Sequence, residues 1–289
     1  MPALSDQPRC PSGRALLKWQ VSACEQIEFV QATLGQCGLA PHFHDVWSIG
    51  LILQGDCCFT AGGHEYHAPT GSVFILPPYE VHACRARDQA TRYAVLYVEA
   101  VAMMALAPRL ATQVRGCRPQ RVWLQRPQLE PLFGRVAALR EAAAAWRWLA
   151  ELDQCLAGEL EASYRDVGLH PLQLLFHKHW DEPIDLAAVQ ASLPQSRWHG
   201  IRTFRRATGL TPGAYLRQLR VQKSRRQLGG EVALAELALR LGFADQAHYT
   251  RNFKQVFGVT PGRWRHLLQQ LNPTTAPALT AAASPPSGD

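Results

Sequence analysis

The sequence lacks both a secretory signal and a segment long enough to cross a membrane. Its first ten residues, MPALSDQPRC, carry neither the basic start nor the apolar core that a signal peptide needs. The nearest apolar run, residues 100–108, is far shorter than the roughly 18 residues that a membrane-spanning helix requires. We therefore expect a soluble, cytoplasmic protein that has no membrane partner.

Cysteine pairs with metal-binding spacing are also missing. The chain has 8 cysteines, all within the first 155 residues, and none belongs to a Cys-x-x-Cys motif. This spacing predicts neither a zinc site nor a disulfide framework. In a reducing compartment the cysteines are expected to be small buried hydrophobic residues.

Acidic residues are scarce in the C-terminal third of the chain. Residues 170–271 contain 15 Lys and Arg against 6 Asp and Glu, although the whole chain has a net charge of only +7. Positive charge concentrated in one region favours a polyanionic partner, because each neutralised phosphate releases counterions. A charged surface that only aids solubility is the alternative.

Composition divides the chain into four regions, and 47% hydrophobic residues are enough to bury a core. About residues 26–98 hold β-rich runs separated by glycines, which predict an antiparallel sandwich or barrel; they are IEFVQATL, VWSIGLIL, CCFTA, SVFIL and RYAVLYV. From about 127 to 164, alanine-rich sequence with leucines at three- and four-residue steps predicts helices, favoured as a dimer seam over a core layer. Residues 172–271 are predicted to be helical, and the Pro-, Ala- and Ser-rich end to be disordered.

An internal repeat lies within the basic region. The stretch TGLTPGAYLR, residues 208–217, recurs 49 positions later as FGVTPGRWRH, residues 257–266. At the same offset Phe204 aligns with Phe253. Such a repeat marks a duplicated supersecondary unit, and the apolar pattern upstream of each copy predicts a helix-turn-helix.

The second unit, LAELALRLGFADQAHYTRNF, predicts the clearer recognition helix. An apolar stripe on its first helix is followed by Gly242, which supplies the positive φ that such a turn commonly needs. The second helix is predicted to bury Tyr249 and Phe253. Its outward side chains are predicted to enter a major groove and contact DNA; they belong to Gln246, Ala247, Thr250 and Arg251. Arginine pairs with guanine O6 and N7, so the last of these is the strongest candidate, with a phosphate contact as the alternative.

The first unit, DLAAVQASLPQSRWHGIRTF, has the same pattern. Its outward face carries Arg197, Trp198 and Arg202, which are predicted to contact DNA. Burial in the core is the alternative for Trp198, since tryptophan is usually well buried. The intervening helix, TPGAYLRQLRVQKSRRQL, is predicted to hold the two units at a fixed separation.

The string GFADQAHYTRNFKQVFGVTPGRWR resembles the signature of the AraC/XylS family of bacterial transcription regulators. The resemblance covers about 100 residues and implies two helix-turn-helix units joined by one helix. It also implies four partners: double-stranded promoter DNA, a small-molecule effector, RNA polymerase and a second copy of the chain in a homodimer. The first unit departs from the family pattern at Gln190, Pro194 and Gly200, so we expect its recognition helix to read sequence less strictly.

The N-terminal strings PHFHDVWSIGLILQG and GHEYHAPTGSVFILPPYEVHA are similar to the cupin-type effector and dimerisation domain of many such regulators. The implied fold class is α+β and multidomain: an N-terminal antiparallel β cupin-like barrel with helices, and a C-terminal all-α double helix-turn-helix domain. The expected parts are an effector-binding domain at 1–125, a helical dimerisation or linker region at 126–168, a DNA-binding domain at 169–271 and a disordered tail at 272–289.

Three histidines, His42, His44 and His82, fall where a metal-binding cupin places its imidazole ligands, but the glutamate expected soon after His44 is missing. We therefore expect His42, His44, Trp47 and His82 to line an effector pocket, with no metal and no cofactor. Metal binding and a purely structural role are the alternatives for the histidines. The expected function is a sequence-specific transcription regulator that responds to a small molecule and is not an enzyme. The alternative is a metal-dependent cupin enzyme fused to a DNA-binding module, which the missing carboxylate disfavours.

Overall fold

The structure is a computed structural model, which describes residues 23–24, 27–34, 38–61, 64–87, 90–114, 124–125, 132, 135, 142–156, 170–185 and 197–271. Several sequence predictions lie outside these residues. They are the helical segments at 136–141 and 157–164, the first helix of the first helix-turn-helix unit with Gln190, its turn at Pro194, and the disordered tail at 272–289.

The described part of the N-terminal half is built from strands β1 to β10: Ala23–Cys24, Ile27–Leu34, Leu39–His42, Trp47–Gln54, Asp56–Ala61, His64–Pro69, Ser72–Leu76, His82–Ala86, Thr91–Val98 and Leu124–Gln125. They form two antiparallel sheets, one with the order β1-β2-β9-β4-β7-β10 and one with the order β3-β8-β5-β6. Each β-rich run predicted from the sequence forms a strand. The sequence pattern does not predict β3, β6 or β8.

Three helices extend the core between the sheets: α1 (Ala100–Leu106), α2 (Pro108–Val114) and α3 (Ala142–Leu156). Leu149 and Leu152 are fully buried in this core. Trp148 donates a hydrogen bond from its indole nitrogen to the carbonyl of Leu132, at 2.7 Å. The described leucines of the predicted stripe, Leu132, Leu149 and Leu152, are therefore buried within the chain itself, while the side chains of the rest of the stripe lie outside the described residues and the dimer seam stays a prediction.

The described C-terminal part consists of helices: α4 (Pro171–Lys178), α5 (Arg197–Thr208), α6 (Pro212–Arg225), α7 (Leu234–Arg240), α8 (Gln246–Phe257) and α9 (Pro261–Leu271). One apolar cluster joins α4, α5 and α6 as the core of the first unit. A second cluster joins the end of α6 with α7, α8 and α9. None of the described helices is long and apolar enough to cross a membrane.

The repeated Gly-x-Thr-Pro sequence builds the same turn in both units. Gly209 and Gly258 adopt φ angles of 79° and 74°, the left-handed conformation in which glycine commonly ends a helix. The hydroxyls of Thr211 and Thr260 each accept a hydrogen bond, at 3.3 Å, from the backbone N–H three residues further on. Proline then begins the next helix, where its missing N–H costs no hydrogen bond. The repeat thus encodes a helix stop followed by a helix start.

The second helix-turn-helix has the geometry that its sequence predicts. Gly242 has a φ of 72°, and Ala238 on the preceding helix is fully buried. Tyr249 and Phe253 are also fully buried and form the apolar side of α8. A side chain at residue 242 would require the left-handed φ and would displace the guanidinium of Arg220, because a Cβ there would lie 2.5 Å from it.

Candidate effector pocket and DNA-binding surface

The three histidines singled out in the sequence meet in one buried cluster. His42 ends β3 and pairs in register with His82, which begins β8, while His44 follows two residues after His42. The ring centroids are 4.3 Å apart for His42 and His82, 5.0 Å for His42 and His44, and 5.3 Å for His44 and His82. All three rings line a largely apolar cavity between the two sheets.

Hydrogen bonds fix the tautomers of two of these rings. Nδ1 of His42 lies 2.8 Å from the carbonyl oxygen of Ala40, and Nδ1 of His82 lies 3.0 Å from that of Glu80. A carbonyl oxygen only accepts, so both Nδ1 atoms donate and both Nε2 atoms keep a lone pair in the neutral ring. His44 differs, because its buried Nδ1 has no hydrogen-bond partner among the described residues.

The rings are held in the neutral form. Burial lowers the pKa of His42 to about 4. Burial also lowers the pKa values of His44 and His82 well below the ordinary 6.5, and the neighbouring histidine rings lower them further. Neutral imidazole both accepts a hydrogen bond and binds metal ions, so the cluster is a ready set of nitrogen lone pairs.

Trp47, the fourth residue expected in the pocket, is fully buried but does not line the cavity. The cavity is lined instead by Ser48 and Ile52 of the same strand. Successive side chains of a strand point to opposite faces, so Trp47 faces away from a cavity that Ser48 faces. Alternation along the strand predicts that Trp47 and Ser48 face opposite sides, but it does not predict which side is the cavity. Gly50, also on this strand, leaves room for the ring of Phe74, which a Cβ would meet at 1.8 Å.

Several lining residues were not predicted from the sequence, although most of them lie on the predicted strands β2, β5 and β9. The cavity also contacts Leu34, Leu39, Cys57, Phe59, Cys84, Thr91, Tyr93, Val95 and Tyr97. The hydroxyl of Tyr97 lies 3.5 Å from Nε2 of His44. Of the cysteines whose environment is described, Cys57 is buried as predicted, whereas Cys155 is exposed; Cys58 and Cys84 are half-buried.

Phe43, between the two cavity histidines, faces the helices of the C-terminal part. Its fully buried ring belongs to the apolar core of the first helix-turn-helix unit. The ring centroid lies 4.6 Å from that of Tyr215 on α6. Adjacent residues of one short segment therefore line the cavity and complete the core of the first unit.

Helix α6 also holds the backbone of this segment. The side-chain amide of Gln218 donates to the carbonyl of Pro41 at 2.9 Å, and that of Gln222 donates to the carbonyl of Phe43. The ring of His44 lies 5.8 Å from that of Phe257, at the end of α8. Both helix-turn-helix units thus contact the segment that carries His42 and His44.

Buried ion pairs also connect α6 to the N-terminal half. Arg225 of α6 is 4% exposed and forms ion pairs with Glu28, Asp45 and Glu99 of the N-terminal half. An arginine buried this deeply needs such partners, because an unpaired buried charge is strongly destabilising. Arg220 is also buried, and it donates to the carbonyls of Trp180 and Glu182. Part of the positive charge predicted on the linking helix therefore stabilises the fold.

The recognition helix of the second unit, α8, is capped and exposed on one face. The Asp245 carboxylate accepts a hydrogen bond from the backbone N–H of His248, at 2.6 Å. Such a cap satisfies one of the free N–H groups at a helix start. Gln246, Ala247 and Arg251 are exposed, and Thr250 is half-buried.

The corresponding helix of the first unit, α5, begins at Arg197, whose side chain lies outside the described residues. Trp198 is 74% exposed, which excludes the alternative of a core tryptophan. Arg202 is exposed beside it, one turn further along the helix, while Gly200 lies on the buried side. Tryptophan is usually well buried, so the high exposure of Trp198, with arginines on both sides of it in the sequence, is unusual.

Comparison with known proteins agrees with this architecture. Residues 27–152 match the model of the AraC-like ligand binding domain, and residues 191–266 match that of a helix-turn-helix domain. A ligand-binding sheet domain is therefore joined to a DNA-binding helical domain in one chain. The chain belongs to the AraC/XylS family and is a DNA-binding transcription regulator with an N-terminal ligand-binding domain.

Its relatives are regulators of similar length. The transcriptional activator RhaS of Pectobacterium carotovorum is 24% identical over 263 residues, covering 82% of this chain and 91% of the relative. RhaS of Salmonella schwarzengrund is 27% identical over 250 residues, covering 80% and 89%. The structure of fatty-acid-bound ToxT from Vibrio cholerae superimposes with a TM-score of 0.56 at 14% identity, over 86% of this chain and 97% of ToxT. The likeness to ToxT shows a shared fold.

Proposed function

We propose that the effector of this regulator binds in the cavity lined by His42, His44 and His82, and that its binding changes how the two helix-turn-helix units meet promoter DNA. One observation carries the proposal. His42 and His44 line the cavity, while Phe43 between them is part of the core of the first unit. A ligand that moves either ring therefore acts on the packing of a DNA-binding helix.

The coupling runs through helix α6. Gln218 and Gln222 bind the carbonyls of Pro41 and Phe43, and α6 contributes to the apolar cores of both units. A small shift of the segment changes the position of α6 and with it the separation of the recognition helices. An effector acts in this way only if it binds one arrangement more tightly than the other.

The DNA contacts are proposed from exposure and residue type. Arg251 reads guanine in the major groove, with Gln246, Ala247 and Thr250 beside it. In the first unit, Arg197 and Arg202 contact the duplex, and Trp198 packs against bases or thymine methyl groups. If both helices lie on one face of the duplex, their sites are about one turn, roughly 34 Å, apart.

The protein is proposed to act as a homodimer, and the described surface that best fits this role is an apolar patch on α1 and α3. Val101 and Met104 on α1 and Trp146 on α3 are 72%, 43% and 43% exposed. These two helices pack against each other, and exposed apolar patches commonly mark interfaces. RNA polymerase is the expected partner at the promoter, and activation is the expected direction by analogy with the RhaS relatives.

The remaining parts of the proposal follow from this role. The domain boundaries at residues 125, 168 and 271 are retained as a working division of the chain. A protein that binds promoter DNA works in the cytoplasm of a bacterium, and no enzymatic activity is proposed, because the relatives are transcription regulators.

The test combines promoter mapping with ligand screening. Genome-wide mapping of the bound sites identifies the operator. Metabolites of the enzymes and transporters that the adjacent genes encode are then added to the full-length protein, and its melting temperature is measured. We expect one compound to raise it and to change operator affinity, and His44→Gln to remove both effects. A compound that acts equally on wild type and His44→Gln would place the effector elsewhere.

A further inference from the structure

The cavity holds three imidazole rings whose nitrogen atoms lie close together. One ring nitrogen from each of His42, His44 and His82 lies within 4.8 Å of the other two. The fixed tautomers leave Nε2 of His42 and His82 with free lone pairs. Nδ1 of His44 is buried and has no hydrogen-bond partner among the described residues. A metal ion that binds one nitrogen lone pair from each ring would give Nδ1 of His44 a partner.

We propose that His42, His44 and His82 together bind one divalent transition-metal ion, and that the effector reaches this ion through the cavity. The proposal deepens the effector pocket described above, and it rests on the proposed function only where it links the ion to DNA binding. The binding of the ion itself is independent of DNA.

The outer hydrogen bonds of the cluster are those that metal-binding histidines use. Such histidines donate the second ring N–H to a carbonyl or carboxylate, which fixes the tautomer and orients the ring. His42 does so to Ala40, and His82 does so to Glu80. In each case the acceptor lies two residues before the histidine, so the backbone just before each ring sets its direction.

The donor set selects the class of ion. Imidazole nitrogen suits zinc, iron, copper and nickel, whereas magnesium and calcium prefer oxygen ligands. Among the described residues that line the cavity, none is a carboxylate. The missing glutamate therefore argues against a hard ion and leaves a neutral three-nitrogen site for ions of the zinc and iron class.

Three protein ligands leave at least one coordination position for another molecule. The rest of the cavity wall is mainly apolar, with Phe59, Phe74 and Ile52 among its residues. The effector class that fits both features is a small molecule with an oxygen or nitrogen donor at one end and an apolar body. A carboxylate on a short apolar chain or ring is an example.

The ion also gives the cavity a mechanical link to the first helix-turn-helix unit. His42 and His44 flank Phe43, whose ring lies in the core of that unit. An ion bound by both histidines fixes the distance between their rings and so restricts the conformation of Phe43. Metal loading is therefore expected to alter operator affinity even before an organic effector binds.

The first experiment titrates Co²⁺ and Zn²⁺ into full-length protein that carries no polyhistidine tag and has been treated with a chelator. We expect one equivalent per chain, with visible absorption bands of protein-bound Co²⁺ that Zn²⁺ abolishes. His42→Gln and His82→Gln should each weaken Co²⁺ binding by at least about 100-fold. Loss of a hydrogen bond to a metal ligand costs about 10- to 100-fold in affinity, and these variants remove the ligand itself. The control is His64→Gln, an exposed histidine on β6, which should bind as wild type does.

Circular dichroism and the melting temperature of the metal-free variants establish that they are folded. Binding of no ion by folded wild type, or equal binding by wild type and both cavity variants, would overturn the proposal. Operator affinity is then measured with and without Zn²⁺ for wild type and Phe43→Leu. A Zn²⁺ effect in wild type that Phe43→Leu loses supports both the site and its link to DNA. One-equivalent, histidine-dependent binding without any effect on DNA supports the metal site and contradicts the proposed coupling.

Discussion

The two helix-turn-helix units share the Gly-x-Thr-Pro turn but have different cores. The core of the second unit is built from α6 to α9, with Tyr249, Phe253 and Trp264 at its centre. The core of the first unit includes Phe43, which comes from the ligand-binding half. Among the described residues, the apolar core of the second unit therefore contains no side chain from the ligand-binding half, whereas that of the first unit does. Both units nevertheless contact the segment at residues 39–44. We interpret the first as the unit that responds to the effector and the second as the stricter reader of DNA.

The largest effect is expected from truncating the buried phenylalanine that occupies the same position in each repeat. Phe204 and Phe253 occupy equivalent positions in the repeat, and both are fully buried. Truncation of either to alanine should destabilise its unit by about 3 to 5 kcal/mol, because a large cavity is created. Phe204→Ala should also loosen the sensor, seen as faster amide exchange in residues 39–44, while Phe253→Ala should leave that exchange much less changed. Equal loosening by both variants would remove the distinction between the units.

A second test compares the two recognition helices. Arg251→Ala should weaken operator binding by about 1 to 3 kcal/mol and relax preference at one base pair. Arg202→Ala should cost less and act more uniformly, because the first unit departs from the family pattern at Gly200. Binding-site selection with each variant at one salt concentration makes the comparison. Loss of base preference in Arg202→Ala, with an unchanged motif in Arg251→Ala, would reverse the assignment.

A third test uses His177, which contacts Tyr215 beside the ring of Phe43. His177 of α4 lies 2.9 Å from the hydroxyl of Tyr215, with its ring 4.3 Å from that of Tyr79. Burial, followed by the nearby Lys223, lowers its pKa to about 4, while Asp45 opposes this shift. The unfolded chain takes up this proton near pH 6.5, so the contribution of His177 is complete above that pH and is lost as the pH falls towards 4.

The size of this loss is about 1 to 2 kcal/mol, less than the full shift implies because the ring is partly exposed. The measurement is the free energy of unfolding of wild type and His177→Gln between pH 7 and pH 4. We expect the two curves to converge as the pH falls, since the variant lacks this proton uptake. Parallel curves would show that His177 does not contribute to the pH dependence.

Parts of this structure follow from the sequence because they depend on local patterns. β2 and β7 match their predicted runs because apolar residues at strand spacing are buried wherever the sheet forms. The strands β3, β6 and β8 carry LAPH, HEYHAP and HACRA, whose polar and proline residues hide the alternation. Two of these strands, β3 and β8, bring His42 and His82 to the cavity, so part of the site lies on elements that the sequence pattern does not show.

Other features depend on contacts between distant residues, which spacing does not encode. The leucine pattern in α3 predicts burial of Leu149 and Leu152 but not whether a partner or the same chain covers them. The sequence likewise gives no sign that Phe43 inserts beside Tyr215, more than 170 positions away. Trp47 is predicted to line the pocket, although alternation along β4 places it on the face opposite to Ser48.

The central claim is that the cavity communicates with the first unit through Phe43, and a double-mutant cycle tests it directly. Operator affinity is measured for wild type, Phe43→Ala, His82→Gln and the double variant, all checked for folding by circular dichroism, with His64→Gln replacing His82→Gln in a control cycle. His82 lines the cavity on β8 and contacts His42, so we predict a coupling of at least about 0.5 kcal/mol in the first cycle and none in the control. Additive effects in both cycles would contradict the account.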